Sequence, residues 1–540
     1  MNIVNRKYDQ NDILAENETD LLLPGSSSNL YNNSRHIEKL SWLMAAFLLI
    51  NTTIGSGLIN FPTAFYQAGG IRTTIILQIV ILIFILISMH SLLYLVHNCY
   101  QQQLKTTCNL HDISDQIKLN QFNSYENIIE YYCGKSIKVI VTIVIIFYSF
   151  GTCITYLIII ADQEEKIIIF LYGDNIKPWY LRRNLDLILI SCLTILPLCF
   201  SKSINFLKYP STIGVIGMVY IPFIMLTKYY LHQNNHEPYS YTHKIYTQSD
   251  NFFNIFDPFN INLLMMGRPK YFPVYNILRA IPTICFLYNS HLSIVPTYYC
   301  MDQTDSSSVK KFSKSIFLNI IVCFILYNLT GIYGYISFGK EVMTYTDILT
   351  AYDPKDYKIF IAMILLAGKL VTTYPIVLFC ARISILNTLP TLSPSLLSRF
   401  SFLSAEKTRE MVGRIFVTLL WFGLVLSIAT YVPDVSKVIP FLGSFCLLLI
   451  FVFPALALLQ YLLSTNELQD EEIDDSYQSF TNGSNFGETS SQNNEMIIFG
   501  KVVSWISAKK VAYSCSVLLI ILGMLLFGMV FTQSVMDTIY

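Results

Sequence analysis

Charged residues are scarce in this chain of 540 residues, since Asp, Glu, Lys and Arg together make up 13%, against roughly 25% in an average soluble protein. Hydrophobic residues make up 53%, so the composition predicts a protein that crosses a membrane many times. The 36 basic and 36 acidic residues cancel. That balance excludes the strongly basic surface typical of a protein that binds nucleic acid.

Enzyme motifs are also lacking. The sequence contains no glycine-rich phosphate-binding loop, no H-E-x-x-H helix and no C-x-x-C pair. Its 12 cysteines are scattered, and none falls clearly in a predicted non-cytosolic loop, so we expect no structural disulfide. No apolar core of a cleavable signal peptide precedes Leu40, so we expect the first membrane span to act as the targeting signal. We therefore expect neither enzymatic activity nor a cofactor.

Eleven apolar runs approach or exceed the roughly 20 residues that a spanning helix needs. The predicted spans are 41–66, 72–97, 136–161, 185–201, 209–231, 277–301, 314–338, 357–382, 412–432, 435–463 and 510–532. They divide the chain into a disordered cytosolic tail (1–40), a core of ten helices (41–463), a cytosolic linker (464–509) and an eleventh helix with a short tail (510–540). This topology places more Lys and Arg on the cytosolic side, as membrane proteins generally do.

The first span has an unfavourable centre for a helix. The stretch Asn51–Gly57 combines two glycines, two threonines and an asparagine, at a depth where no water replaces broken hydrogen bonds. Two half-helices meeting here would offer carbonyl oxygens near Ile50 to Thr52 to a small cation, and N–H groups near Gly55 to Leu58 to a carboxylate. The alternative interpretation is close packing of helices at small residues.

The sixth span, 277–301, is the only other one with a comparable interruption. Pro282 and Pro296 flank a polar centre, Asn289-Ser290-His291. If spans one to five and six to ten form two repeats, the interrupted helices begin each repeat, and the second repeat is inverted because five is odd. Such a pair of broken helices is typical of a secondary transporter with its site at the bilayer midplane. A chance match of two kinked helices is the alternative.

These two breaks define a predicted binding site. The predicted substrate-binding residues are Thr53, Ile54, Gly55, Ser56, Gly57, Phe286, Asn289 and His291. The imidazole of His291 could donate to substrate, titrate, or satisfy the interrupted backbone.

Polar residues in the eighth span point to the same site. The hydroxyls of Thr372 and Thr373 could complete a shell of oxygen ligands around sodium. Lys369 lies on the same helix face, and a lysine at this depth is costly unless it meets a cavity or a partner. The alternative is that its long stem reaches the non-cytosolic surface.

A family resemblance extends along the membrane region. The segment Asn51–Gly70, NTTIGSGLINFPTAFYQAGG, resembles the first-helix signature of the amino acid/auxin permease family, and within it the sodium-coupled neutral amino acid transporters. Further segments resemble the branch of transporters 7 and 8. They are 150–167, 196–211, 284–296, 372–382, 421–439 and 450–458.

The resemblance implies an all-α membrane protein of eleven transmembrane helices, with a five-plus-five inverted repeat (LeuT-like) and discontinuous helices 1 and 6. It implies alternating-access transport of neutral amino acids such as glutamine and asparagine, coupled to sodium. The sodium-linked asparagine and threonine of the family correspond to Asn51 and to Thr372 or Thr373.

One residue departs from the pattern. Lys369 stands where a small or apolar residue is expected, and its fixed positive charge could replace the ion. Transport coupled to protons, or transport without any coupled ion, is therefore an alternative. A second alternative is an amino acid sensor, or transceptor, that signals through its N-terminal tail.

The tail also bears on location. The run Glu18-Thr19-Asp20-Leu21-Leu22-Leu23 resembles an acidic dileucine signal that adaptor proteins read. The N-x-S/T sequons at Asn17, Asn32 and Asn482 fall on the predicted cytosolic side, where they would stay unmodified. We expect a lysosomal or endosomal membrane, with the plasma membrane as the alternative, and a capping role for the 232–276 loop.

Overall fold

The computed structural model describes most of the chain. The described residues are 40–107, 124–173, 183–200, 208–235, 274–301, 307–345, 347–353, 355–392, 406–432, 435–465 and 492–539. Within these ranges the chain is helical and has no β-strand, only an isolated bridge between Leu40 and Met301.

The α-helices are numbered in chain order. They are α1 (Trp42–Thr53), α2 (Phe61–Gln67), α3 (Ile71–Thr107), α4 (Tyr125–Cys133), α5 (Lys135–Tyr172), α6 (Arg183–Ile190), α7 (Leu196–Cys199), α8 (Lys208–Asn235), α9 (Val274–Leu287), α10 (His291–Tyr299), α11 (Ser308–Phe338), α12 (Tyr357–Leu392), α13 (Glu406–Tyr431), α14 (Val435–Leu447), α15 (453–465) and α16 (Gln492–Ile539). One turn of π-helix joins α6 to α7 and another joins α14 to α15. A 3₁₀ helix, Ser56–Asn60, precedes α2.

Among the described residues, eight helices are long and apolar enough to cross a membrane, and a ninth span results if the bent pair Trp42–Thr53 and Ser56–Gln67 is counted as one. The predicted span 185–201 corresponds to a shorter apolar helix, Leu185–Cys199. The predicted span 277–301 corresponds to two short pieces, α9 and α10. An all-helical membrane protein is confirmed, while the total of eleven spans and the inverted repeat stay predictions.

Several predicted features lie outside the described residues. They are the tail up to residue 39, with the Glu18-Leu22-Leu23 signal, the sequons at Asn17, Asn32 and Asn482, and most of the 232–276 loop and the 464–509 linker. The last helix begins at Gln492, inside the range predicted as linker.

Burial separates the helices that form the core from those that face lipid. In α5, 72% of the most apolar stretch is buried inside the protein, against 22% in Lys510–Met536 of α16. Large apolar side chains such as Ile76 and Ile83 of α3 are exposed, as expected for a surface covered by lipid tails. α5 is therefore a central helix around which α12, α13 and α14 pack.

Glycine allows α14 to approach the core closely. A Cβ added at Gly443 of α14 would overlap the carbonyl oxygen of Pro282 in α9. At the neighbouring position of α14, the Leu442 side chain packs against Gly151 of α5, where an added Cβ would overlap it. Small residues at helix contacts are the usual means of close packing in membranes, and here they hold the second interrupted helix in place.

Candidate functional site

The first helix breaks where the sequence predicts it. The Ile54 N–H still donates to the Ile50 carbonyl at 2.9 Å, but Gly55 is extended, with φ −133° and ψ −157°. The chain resumes as the 3₁₀ helix Ser56–Asn60 and then α2, so that the two halves meet at an angle of 53°.

The second half-helix begins with polar groups that lack partners. The N–H groups of Ser56 and Gly57 open a helix, where no preceding turn accepts them. The Ser56 hydroxyl and the Asn60 side-chain amide are buried and have no hydrogen-bond partner within the described part of the chain. Buried polar groups are nearly always paired, so this segment has the chemistry to hold a polar ligand.

The second break separates α9 from α10 at Tyr288–Ser290. The Asn289 amide donates to Cys446 Sγ at 3.5 Å, while its Oδ1 has no partner among the described residues. His291 is completely buried, and within the same ranges neither ring nitrogen has a hydrogen-bond partner. Of the three roles open to His291, satisfying the interrupted backbone is not observed.

The two breaks lie directly against each other. A Cβ added at Gly57 would lie 3.0 Å from Leu287 Cγ and 3.3 Å from Phe286 Cδ1, and one added at Gly55 would lie 3.7 Å from the Tyr156 hydroxyl. The ring of Phe286 lies 6.3 Å from that of Tyr148, centroid to centroid. The structure thus brings Gly55, Gly57 and Phe286 together. Tyr148 and Tyr156 of α5 line one side of this region.

Tyr327 of α11, which is not among the predicted site residues, joins the two breaks. Its hydroxyl lies 2.8 Å from the Thr53 carbonyl and 3.0 Å from the Leu287 carbonyl, the last residues of α1 and α9. Its one proton is therefore shared by the carbonyl ends of both half-helices. The signal that could have found it is the adjacent pair Tyr327-Asn328 within an apolar span.

A buried polar chain continues from this point. The Asn328 amide donates to Gln78 Oε1 at 2.9 Å, and Gln78 Nε2 donates to the Tyr288 hydroxyl at 2.6 Å. Thr53, predicted to bind substrate, shares its one hydroxyl proton between the Leu49 carbonyl at 2.7 Å and Asn319 Oδ1 at 3.1 Å. These bonds connect the residues at both breaks to α3 and α11.

Replacing Tyr327 by phenylalanine is expected to lower the free energy of unfolding by about 1–3 kcal/mol, because it leaves buried carbonyl oxygens without their hydrogen-bond donor. Thermal unfolding of the purified protein in detergent measures this. Tyr431→Phe is the matched control, since Tyr431 is 86% exposed. An equal loss of stability in both variants would show that the Tyr327 bridge has no particular role.

The predicted cation site holds a lysine ammonium. Lys369 Nζ donates to both oxygens of Asn51, the side-chain Oδ1 and, at 3.3 Å, the backbone carbonyl. Lys369 is only 2% exposed, so the alternative that its stem reaches the surface is wrong. The Thr372 and Thr373 hydroxyls donate to the Lys369 carbonyl, at 2.9 and 2.7 Å.

A short turn packs against the first break from the α11–α12 connection. It is the 3₁₀ helix Ile348–Ala351, capped by Asp347, whose Oδ1 accepts from the N–H groups of Leu349 and Thr350 at 2.9 and 3.1 Å. Gln163 Nε2 of α5 donates to Asp347 Oδ2 at 2.8 Å.

The environment of Asp347 makes its ionisation sensitive to pH near neutrality. Burial and the neighbouring charge of Asp162 raise the pKa of Asp347 to about 7, although Lys166 and the two backbone N–H groups act in the opposite direction. The pKa of Asp347 in the folded state lies above the ordinary 3.8. Protonation of Asp347 therefore stabilises the folded state, in which the turn packs against the first break. That stabilisation is complete below pH 3.8 and is lost as the pH rises through about 7.

Asp347→Asn is expected to remove this pH dependence while keeping the oxygen that caps the turn. From about pH 5 to about pH 8, wild-type protein should lose stability on the order of a few kcal/mol relative to the variant, since a tenfold change in proton affinity is about 1.4 kcal/mol. Thermal unfolding of both proteins in detergent across this range measures the difference. Parallel pH profiles would rule out Asp347 as the titrating group.

The described helices define an integral, multi-pass membrane protein in which two interrupted helices meet in the interior. The family described as transmembrane amino acid transporter protein matches residues 38–472, and the chain belongs to that family. It is accordingly a membrane transporter rather than an enzyme.

Comparison with individual proteins agrees with this family assignment. The chain is 32% identical over 433 residues to sodium-coupled neutral amino acid transporter 7 of Danio rerio, covering 79% of this chain and 81% of the relative. It is 33% identical over 433 residues to the Homo sapiens transporter of the same name, covering 79% and 80%. It is 27% identical over 427 residues to putative sodium-coupled neutral amino acid transporter 8 of Xenopus tropicalis, covering 78% and 84%. The predicted resemblance to this branch is confirmed.

Proposed function

We propose that this protein transports neutral amino acids, glutamine and asparagine among them, by alternating access. The observation that carries the proposal is the contact of the two breaks, with Gly57 against Leu287 and Phe286. The N–H groups at the start of the second half-helix, and the buried side-chain atoms without partners at both breaks, match the two ends of an α-amino acid. The relatives named as neutral amino acid transporters support the same substrate class.

The substrate carboxylate would bind the N–H groups of Gly55 to Gly57, where the start of a helix favours negative charge. The substrate amino group would bind the carbonyl ends of α1 and α9, since each carbonyl oxygen has a second lone pair beside the one facing Tyr327. Phe286 would pack on the aliphatic part of the side chain. Asn289 and His291, with buried unpaired atoms, would bind its amide.

The proposed architecture has eleven transmembrane helices in a five-plus-five inverted repeat, with the two breaks at its centre. The proposed location is the lysosomal or endosomal membrane, reached through adaptor proteins at the Glu18-Leu22-Leu23 signal. Epitopes placed at the N-terminus and within the predicted 464–509 linker would both be cytosolic in this topology. Glycosylation at Asn17 or Asn482 would invert it.

Competition for uptake tests the proposed substrate and its binding mode. Purified protein in proteoliposomes is given labelled glutamine together with an excess of unlabelled compounds. Neutral amino acids should compete, whereas glutamine methyl ester should not, because its carboxylate is blocked. Equal competition by the ester would contradict the carboxylate site, and the absence of competition by neutral amino acids would contradict the substrate class.

A further inference from the structure

The relatives are named for sodium coupling, so whether sodium fits this chain is decided by the residues at the end of α1. Sodium would need Asn51, with its backbone carbonyl, and the threonine hydroxyls of α12 as oxygen ligands. Both Asn51 oxygens already accept hydrogen bonds from Lys369 Nζ. A sodium ion on the same oxygens would lie beside an ammonium, and like charges at that distance repel strongly in a buried site.

The surrounding helices accommodate the lysine. A Cβ added at Gly214 of α8 would lie 2.6 Å from Lys369 Cδ and 3.0 Å from its Cβ, so the missing side chain of Gly214 gives the lysine stem its room. No carboxylate among the described residues lies within salt-bridge distance of Lys369. The ammonium is thus directed at Asn51 and at the end of α1, where the helix dipole favours positive charge.

We infer that the Lys369 ammonium is a tethered cation that takes the place of sodium, so that this transporter moves its substrate without sodium. The ammonium performs what a bound ion would do at that point, because it joins the end of α1 to α12. The inference rests on the proposed function, since it concerns how the same site is completed.

Two substitutions separate a tethered cation from a merely structural lysine. Lys369→Ser removes the charge, opens the space and leaves a hydroxyl beside Thr372 and Thr373, so a sodium site is created. Lys369→Met removes the charge but fills the space with an apolar stem of similar length, so no ion site is created. Labelled glutamine uptake is measured for each protein with sodium outside and with choline in its place.

Wild-type uptake should be equal in sodium and choline. Uptake by Lys369→Ser should be stimulated by sodium roughly fivefold or more, the lower end of usual coupling between two sites. Lys369→Met should be slow under both conditions. Sodium-dependent uptake by the wild type would overturn the inference. So would uptake at the wild-type rate in choline by both Lys369→Ser and Lys369→Met.

A second readout is independent of transport. In detergent, sodium should raise the apparent melting temperature of Lys369→Ser over an equal concentration of choline, because an ion that binds the folded state stabilises it. Wild type and Lys369→Met should show no difference. Sodium stabilisation of the wild type would overturn the inference. Absent glutamine uptake together with these expected shifts would contradict the proposed function and leave the tethered cation supported.

Discussion

Gly55→Val is expected to abolish amino acid uptake while leaving the protein folded. The backbone of Gly55 is extended, at φ −133°, a conformation that valine adopts readily. Among the described residues, a Cβ at Gly55 would contact only the Tyr156 hydroxyl, at an ordinary 3.7 Å. The valine methyl groups would instead occupy the space in front of the Ser56 and Gly57 N–H groups. Losing two hydrogen bonds to a carboxylate, at about 1.5 kcal/mol each, lowers affinity roughly 100-fold.

The measurement is uptake of labelled glutamine, with the elution profile of purified protein as the test of folding. Gly423→Val is the matched control, since no atom of the described residues lies within 4 Å of a Cβ added at Gly423 of α13. If Gly55→Val takes up glutamine at the wild-type rate, the carboxylate does not bind at the first break. Loss of the folded peak would also contradict the account, because the space at Gly55 is predicted to admit the side chain.

Gly443→Ala is expected to destabilise the whole protein. Its Cβ would overlap the backbone carbonyl of Pro282, and a carbonyl within a helix cannot turn aside as a flexible side chain can. Overpacking usually costs about 1–3 kcal/mol, so a clash with backbone should reach at least the upper end of that range. Because α14 holds α9 in place, the second break should lose its geometry as well.

Thermal unfolding in detergent measures the effect, and Gly423→Ala serves as the control. Gly443→Ala should unfold at a clearly lower temperature than the wild type and Gly423→Ala. If Gly443→Ala is as stable as the wild type, the close approach of α14 to α9 is incorrect.

Local sequence was sufficient to locate the breaks. Glycine, asparagine and β-branched residues weaken a helix wherever they occur, so Asn51–Gly57 and the segment around Asn289 were identified without knowledge of their neighbours. The class of protein could be predicted in the same way, because long apolar runs are recognised from the local composition alone.

Contacts between distant residues could not be predicted in the same way. Lys369 and Asn51 are 318 positions apart, and Tyr327 is 274 positions from Thr53. The sequence placed Lys369 on the same helix face as Thr372 and Thr373, but only packing shows that its ammonium reaches Asn51. Nothing in the local sequence marks Asp347 as the cap of a turn that packs on the first break.

A sensor of the same family would bind the same ligand, so binding alone does not establish transport. The two functions differ in whether ligand crosses the membrane repeatedly. A sensor takes up at most one ligand per protein molecule, and its signalling is lost when residues 1–40 are deleted. A transporter continues until the gradient across the membrane is exhausted.

The most direct test is therefore the number of glutamine molecules accumulated per protein molecule in sealed proteoliposomes. We predict many labelled molecules per wild-type protein, retained inside the vesicle and released when the membrane is permeabilised, and none above background for Gly55→Val. Saturation at one molecule per protein or fewer, whatever the gradient, would contradict transport and favour the sensor.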